Sequence, residues 1–289
     1  MNQATHSFGN SEKGTRAHHP AGIATLAYGV ICYAFFFATI MYAIGFVGNW
    51  LVPKSIDTGP VRPIWQSVLI NAALLSVFVL QHTIMARPAF KRWWTRIVPR
   101  AAERSTFVLL ASASLGLVFW QWRPLPQTIW SVERPAAYLL DALALAGWAV
   151  MFASSFAISH FDLFGLRQAW LRFRNTPYRA LNFRVTGLYR IVRHPLMLGL
   201  LIAFWSAPVM SLGRLCFALL CTGYILFGTW MEERDLIAEH GERYLQYRRR
   251  VRGLVPLPIA ARNGEPGVLS SAPAQMSGSG AHAPEVVCR

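Results

Sequence analysis

The feature that most constrains this chain is a series of apolar runs that alternate with short polar loops. A membrane-spanning helix needs roughly 20 consecutive apolar residues, and here 54% of the residues are hydrophobic and 14% are charged. This balance excludes an ordinary soluble domain and predicts an all-α, polytopic integral membrane protein with five to six transmembrane helices. The apolar runs lie at 21–47, 64–85, 105–122, 136–159, 196–211 and 214–231.

The last two runs are each short for a membrane crossing, and together they predict a packed C-terminal helical hairpin. The hairpin is expected to turn near Pro208–Gly213, and Arg214 is its one charged residue between 196 and 231. Six transmembrane helices are expected if both arms of the hairpin cross the membrane, and five if only one arm does. The second arm is expected to continue as a cytoplasmic amphipathic helix to about residue 250.

The net charge of +15 is concentrated in the loops. Segment 86–104 carries six basic residues against Glu103, and segment 160–193 carries seven arginines against Asp162. We call these two segments the Arg-rich loops. The positive-inside rule places them in the cytoplasm, and six crossings then place both termini there. We expect a multi-pass protein of the plasma (inner) membrane whose basic residues contact lipid headgroups and not nucleic acid.

The ends of the chain differ from its centre in composition. We predict a flexible N-terminal tail over 1–20, a membrane-embedded domain over 21–260, and a disordered tail rich in Gly, Ser, Pro and Ala over 261–289. Three cysteines lie in apolar runs and Cys288 lies in the tail. Their spacing predicts neither a disulfide framework nor a metal site.

Two charged clusters flank the predicted hairpin, and a return of the chain would bring them together. Arg193-His194-Pro195 precedes the first arm, with Gly199 shortly after, and Glu232-Glu233 follows the second, with Tyr244 and Tyr247 beyond. Charged groups at the membrane edge indicate a functional site. A helix that starts at Pro195 would also offer positive charge to a carboxylate. The alternative is that Arg193 only reaches lipid phosphate and that Pro195 only starts a helix.

A second group of candidates lies at the ends of earlier apolar runs. His160 and Asp162 follow the fourth run, and His82 ends the second. A histidine beside a carboxylate can act as a general base. The alternative for each histidine is a hydrogen-bonded residue at the membrane interface.

The hairpin motif, RHP-x3-G followed by EER and HG-x2-Y-x2-Y, resembles the membrane-embedded methyltransferases that include isoprenylcysteine carboxyl methyltransferase and phospholipid N-methyltransferases. The resemblance covers about residues 185–256, and it implies that this part binds S-adenosyl-L-methionine. Met197 stands where that family usually has tyrosine.

Longer strings resemble the methanethiol S-methyltransferase family over most of 21–256. They are QHTIMARPAFKRWWT (81–95), HFDLFGLRQ (160–168), LYRIVRHPLMLG (188–199) and EERDLIAEHGERYLQYRRRV (232–251). The resemblance implies methylation of methanethiol to dimethyl sulfide, with S-adenosyl-L-methionine as donor and S-adenosylhomocysteine as co-product.

The residue types suit that chemistry. Methyl transfer to sulfur needs a thiolate, so we expect His82, or His160 with Asp162, as the base and Arg167 as a thiolate partner. Glu233, with Glu232, is expected to bind the donor's amine. The predicted donor-binding residues are Tyr189, Arg193, His194, Pro195, Gly199, Glu232, Glu233, Tyr244 and Tyr247, with no metal.

The expected partners are a small thiol and the lipid bilayer, with no obligate protein partner evident. The nearest alternative is methylation of a prenylcysteine carboxyl or a phospholipid headgroup by the same fold. A membrane subunit that binds haem or moves protons through its histidines is the alternative from another class.

Overall fold

The computed structural model describes residues 20–181 and 185–255. The predicted tails over 1–20 and 261–289 therefore lie outside the described residues, apart from Pro20, which begins the first helix. A short 3-10 helix spans Gly187–Arg190. In chain order the other elements are α1 (Pro20–Gly48), α2 (Ile64–Ala86), α3 (Pro88–Trp94), α4 (Arg100–Gln121), β1 (Thr128–Ser131), α5 (Ala136–Ile158), α6 (His160–Leu163), α7 (Leu166–Phe173), α8 (Pro195–Trp205), β2 (Val209–Ser211), α9 (Leu212–His240) and α10 (Glu242–Arg250).

Within the described residues, five helices are long and apolar enough to cross a membrane: α1, α2, α4, α5 and α9. Backbone N–H and C=O groups have no water partner in lipid, so apolar runs of this length are helical there. The prediction of an all-α, polytopic membrane protein is confirmed. Most predicted ends agree to within a few residues, and α4 extends the third run toward the N-terminus to begin at Arg100.

The first arm of the hairpin is helical only over α8, which has 11 residues. At about 1.5 Å per residue it covers roughly half of a 30 Å hydrocarbon layer. Residues 206–211 then continue without helix, and β2 pairs antiparallel with β1 in the α4–α5 connection. The hairpin therefore turns at the β1 end of the bundle, close to the predicted Pro208–Gly213.

The closest helix contact of α8 is with α5. A Cβ atom added at Gly147 of α5 would lie 2.6 Å from the backbone oxygen of Gly199 and 2.6 Å from the backbone nitrogen of Ala203. Two backbones approach this closely only where side chains are absent. Gly199 therefore has a packing role in addition to its place in the predicted motif.

The single charge of the hairpin is satisfied at its turn. The Arg214 guanidinium is buried, donates to the backbone oxygens of Val209 at 2.8 Å and Val47 at 2.5 Å, and lies 3.4 Å from the Asp57 carboxylate. A buried cation is tolerated when it is paired in this way. Arg214 thus joins the turn to the end of α1.

The predicted continuous helix through residue 250 is interrupted. Gly241 has a φ of +55°, which glycine adopts without steric cost, and it separates α9 from α10. The chain changes direction here, which lets α10 fold back toward the start of α8. Tyr247 of α10 accordingly donates from its hydroxyl to the backbone oxygen of Tyr189 at 2.7 Å.

The two Arg-rich loops meet at one end of the bundle. Arg104 Nε, at the end of the first loop, donates to the backbone oxygen of Leu163 in the second at 2.8 Å. This contact agrees with the expectation that both loops share one face. Their cytoplasmic orientation stays a prediction.

We predict that Gly147→Ala destabilises the protein by about 1–3 kcal/mol, because the new methyl group overlaps the α8 backbone. The matched control is Gly223→Ala in α9, where an added Cβ meets nothing within 4 Å. That change should be neutral or stabilising by up to about 1 kcal/mol. Thermal unfolding of both variants in detergent measures the difference, and equal stabilities would contradict the close α5–α8 contact.

Candidate functional site

A cleft of about 1260 Å³ opens at the end of the bundle where the Arg-rich loops meet. It lies between the α6–α7 region on one side and the start of α8 with the end of α9 on the other. Predicted site residues from both sequence regions border it. They are Asp162, Tyr189, Arg193, His194, Glu232, Tyr244 and Tyr247.

Glu233 joins the two charged clusters of the hairpin. Its Oε1 atom accepts from Arg193 Nε at 2.9 Å, from Arg193 Nη2 at 2.5 Å and from His194 Nε2 at 3.1 Å. Its Oε2 atom lies 3.4 Å from Arg248 Nε. We call Arg193, His194 and Glu233 the Glu233 junction. Glu233 itself does not border the cleft, whereas its neighbour Glu232 does.

Residues after α10 hold the junction from the other side. The backbone N–H of Arg193 donates to Arg252 O at 2.7 Å, and that of His194 donates to Gly253 O at 3.1 Å. Arg193 Nη1 also donates to Val251 O at 2.5 Å. This role of 251–253 was not predicted from the sequence, because a short irregular segment has no periodic signal.

His194 carries a positive charge at neutral pH. Burial alone would lower its pKa, but hydrogen bonds and charge attraction from Glu232 and Glu233 outweigh that effect and raise the pKa to about 9. His194 also precedes α8, with Pro195 in the first helical position and no side-chain cap at that end. The His194 imidazolium, at the N-cap of α8, therefore lies in one wall of the cleft.

Aromatic rings form the neighbouring wall. Tyr244 and Tyr247 lie with ring centroids 5.8 Å apart at 64°, and both border the cleft together with Tyr189. By contrast, Pro195, Gly199 and Met197 do not border it within the described part of the chain. The tyrosine expected at Met197 is thus replaced at a position outside the cleft wall.

His160 is fully hydrogen-bonded behind the cleft. Its Nε2 atom lies 2.8 Å from the Tyr33 hydroxyl and its Nδ1 atom 2.8 Å from Ser155 Oγ. Its ring stacks on Phe156, which does border the cleft, with centroids 4.1 Å apart. Burial lowers the pKa of His160, so the ring is neutral at neutral pH.

His82 lies among aromatic rings of the bundle, against Phe78, Phe107 and Tyr224. Its Nδ1 atom is buried and has no hydrogen-bond partner in the described structure. It does not border the cleft. Of the four predicted catalytic residues, only Asp162 borders the cleft as far as the described residues show.

The cleft wall also contains residues that the sequence analysis read as topology signals. Six basic side chains border it against three acidic ones, which gives the cleft a positive charge balance. The basic residues are Lys91, Arg100, Arg104, Arg172, Arg193 and His194, and the acidic ones are Glu103, Asp162 and Glu232. Four of these basic residues lie in the Arg-rich loops before residue 173. The expectation that the two loops share one face was therefore the sequence signal that could have placed them in the cleft wall. In the described ranges, no group of three His, Cys, Asp or Glu side chains is placed to hold a metal ion.

Five candidate spans and a charged, aromatic cleft at one end define a polytopic membrane protein with a candidate binding site at one end of its helix bundle. The model of the family described as NnrU protein matches residues 69–251. Methanethiol S-methyltransferase 2 of Bradyrhizobium diazoefficiens is 53% identical over 242 residues, which cover 84% of this chain and 93% of that protein.

Two further relatives carry the same activity in their names. Methanethiol S-methyltransferase of Mycobacterium tuberculosis is 51% identical over 235 residues, covering 81% of this chain and 96% of that protein. That of Crocosphaera subtropica is 46% identical over 232 residues, covering 80% and 91%. No solved structure matches the chain. The chain belongs to the NnrU family, and to the methanethiol S-methyltransferase-like group within it, which confirms the resemblance found in the sequence.

We predict that stability falls as the pH rises from about 6.5 to about 9. The folded-state pKa of His194 is raised from 6.5 to about 9, so its contribution is fully present below 6.5 and is lost as pH rises through 9. Thermal unfolding of the wild type across this range should show the decline. His194→Gln should be less stable at pH 6.5 and show a flatter profile, and an unchanged slope would contradict the role of His194.

Proposed function

We propose that this protein transfers the methyl group of S-adenosyl-L-methionine to methanethiol, forming dimethyl sulfide and S-adenosylhomocysteine. Two findings support the proposal: the names of relatives that align over most of the chain, and a cleft whose charged and aromatic walls match the donor. The carrying observation is the arrangement at the start of α8, where His194 and Glu232, paired with Nδ1 3.5 Å from Oε2, both border the cleft.

The charged and aromatic side chains that border the cleft fit S-adenosyl-L-methionine. The positive charge of the His194 imidazolium, which lies at the N-cap of α8, suits the donor's carboxylate. Glu232, which borders the cleft, suits its ammonium group, and Tyr189, Tyr244 and Tyr247 suit the adenosine. When bound, the donor supplies an electrophilic methyl group on a sulfonium.

Glu233 has a positioning role in this proposal. The sequence predicts that Glu233, with Glu232, binds the amine of the donor. Both carboxylate oxygens of Glu233 face Arg193, His194 or Arg248. Glu232 is more exposed and its Oε2 atom lies 3.5 Å from His194 Nδ1, so we assign the amine to Glu232, which borders the cleft. Glu233 then fixes the orientation of His194 and Arg193.

Thiol activation is assigned to the charge of the cleft. A thiolate is the reactive nucleophile, and nearby positive charge lowers the pKa of a thiol, which then releases its proton to water before methyl transfer. The excess of basic groups in the wall supplies this effect. His82 and His160, the bases expected from the sequence, do not border the cleft, and we assign His160 to holding the Phe156 wall.

Methanethiol is small and apolar, so it partitions into lipid. We propose that it reaches the cleft from the bilayer, past apolar wall residues such as Phe156, Ile158 and Leu163. The donor would enter from the cytoplasm, since the positive-inside rule places the Arg-rich loops on that side of the plasma membrane.

We predict that purified protein with S-adenosyl-L-methionine and methanethiol produces dimethyl sulfide, detected by gas chromatography. Glu232→Gln should weaken donor binding by about 10- to 100-fold, the loss expected for one charge-assisted hydrogen bond. Glu239→Gln, an exposed position on the same helix, is the matched control and should bind the donor like the wild type.

Absence of dimethyl sulfide above a heat-inactivated control would refute the proposed reaction. Methylation of a prenylcysteine or of phosphatidylethanolamine in the same assay would redirect the acceptor while keeping the donor site. Equal donor affinity in Glu232→Gln and Glu239→Gln would remove Glu232 from that site.

A pH profile tests the role of His160. Glutamine can keep hydrogen bonds to Tyr33 and Ser155, so His160→Gln should remain folded. We expect its rate to follow the same pH profile as the wild type, because His160 lies outside the cleft wall. Loss of activity at neutral pH with recovery at high pH would instead identify His160 as the base.

A further inference from the structure

Residues 174–181, here called the strap, border the same cleft as Glu232. Arg174 and Asn175 form a turn, and 176–181 belong to no helix or strand. The strap is therefore held by contacts with its neighbours and not by regular backbone pairing. Five of its residues border the cleft: Thr176, Pro177, Tyr178, Ala180 and Leu181.

The α6–α7 region fastens the strap at two adjacent positions. The Tyr178 hydroxyl donates to Asp162 Oδ2 at 3.2 Å. Both terminal nitrogens of Arg167 donate to the backbone oxygen of Arg179 at 3.3 Å. The Arg167 guanidinium also lies over the Tyr178 ring, with Cζ 5.3 Å from its centroid.

Asp162 and Arg167 are paired to each other as well as to the strap. Arg167 Nη1 donates to Asp162 Oδ1 at 2.8 Å, so each carboxylate oxygen of Asp162 has a partner in this group. Asp162 is 7% exposed, and a buried carboxylate without partners would be costly. The contacts of Asp162 with Arg167 and Tyr178 therefore account for both residues of the motif without any proton transfer by Asp162.

The loop around Asp162, to which the strap is fastened, is itself held in place by neighbouring residues. Gln168 Nε2 donates to the backbone oxygen of Asp162 at 3.1 Å, and Arg104 Nε donates to that of Leu163 at 2.8 Å. Gly165 has a φ of +87°, and an added Cβ would lie 2.6 Å from the Ser105 backbone nitrogen. The loop around Asp162 thus lies directly on α4, which provides a rigid anchor.

We propose that Asp162 and Arg167 are positioning residues that fasten the strap along the cleft and so shield bound methyl donor and thiol from bulk water. This inference rests on the proposed function for the identity of the ligands. Exclusion of water strengthens the charge interactions within a site. Fastening of the strap thus replaces the catalytic roles that the sequence suggested for Asp162 and Arg167.

The test uses full-length protein in lipid nanodiscs and compares Tyr178→Phe, Asp162→Asn and the matched control Tyr138→Phe. Tyr178→Phe removes one strap contact and leaves the Asp162–Arg167 pair intact. Hydrogen exchange of the peptide covering 174–181 should be about tenfold faster in Tyr178→Phe, the effect of one lost hydrogen bond to a carboxylate. The Asp162→Asn peptide should exchange at least as fast, and Tyr138→Phe should match the wild type.

Donor affinity and rate separate positioning from catalysis. Calorimetry with S-adenosylhomocysteine should show weaker binding in both strap variants, while kcat at saturating donor stays within about twofold of the wild type. Wild-type exchange of 174–181 in Tyr178→Phe would overturn the proposal, even if Asp162→Asn fails to fold. A kcat lost in Asp162→Asn, with exchange and affinity unchanged, would make Asp162 catalytic. A wild type that binds no S-adenosylhomocysteine would refute the donor site, while the exchange rates would still decide whether the strap is fastened.

Discussion

A single carboxylate oxygen, Glu233 Oε1, ties the two ends of the hairpin together. It accepts from Arg193 and His194, which precede the hairpin, although Glu233 itself lies on α9 beyond the turn. Groups this polar at the edge of an apolar bundle are costly unless each is paired. The junction satisfies them jointly, so removal of one member leaves buried charge on the others. The main effect of the Glu233 junction is that it fixes the position of His194 at the start of α8.

The rest of the site follows from that fixed point. Gly147 and Gly199 bring α8 against α5, which sets the direction of the helix whose N-cap residue, His194, borders the cleft. The break at Gly241 returns α10 so that its tyrosines complete the wall beside His194. Segments 86–104 and 156–181 supply most of the other wall residues, with the strap fastened on Asp162. The proposed donor and acceptor would therefore meet between two separately anchored halves.

The parts of the fold that the sequence predicts are those that lipid enforces. Apolar runs must satisfy their backbone internally, so the spans α1, α2, α4, α5 and α9 follow from hydropathy alone. The different roles of Glu232 and Glu233 could not be predicted from the sequence. Neighbouring side chains on a helix point about 100° apart, and only the tertiary structure shows which one faces the cleft. The strap and residues 251–253 were missed because irregular segments have no period. His160 looked like a base because its hydroxyl partners, Tyr33 and Ser155, are not visible in the local motif.

The central claim is that the donor binds against the His194–Glu232 pair in the cleft wall while Glu233 holds the junction behind them. A cryo-electron microscopy structure of the protein with S-adenosylhomocysteine tests it most directly. The account predicts the ligand's amino group within hydrogen-bond distance of Glu232, its carboxylate at His194 and the start of α8, and Glu233 still bound to Arg193. A ligand bound outside this cleft, or an amino group held by a Glu233 that has released Arg193, would contradict it.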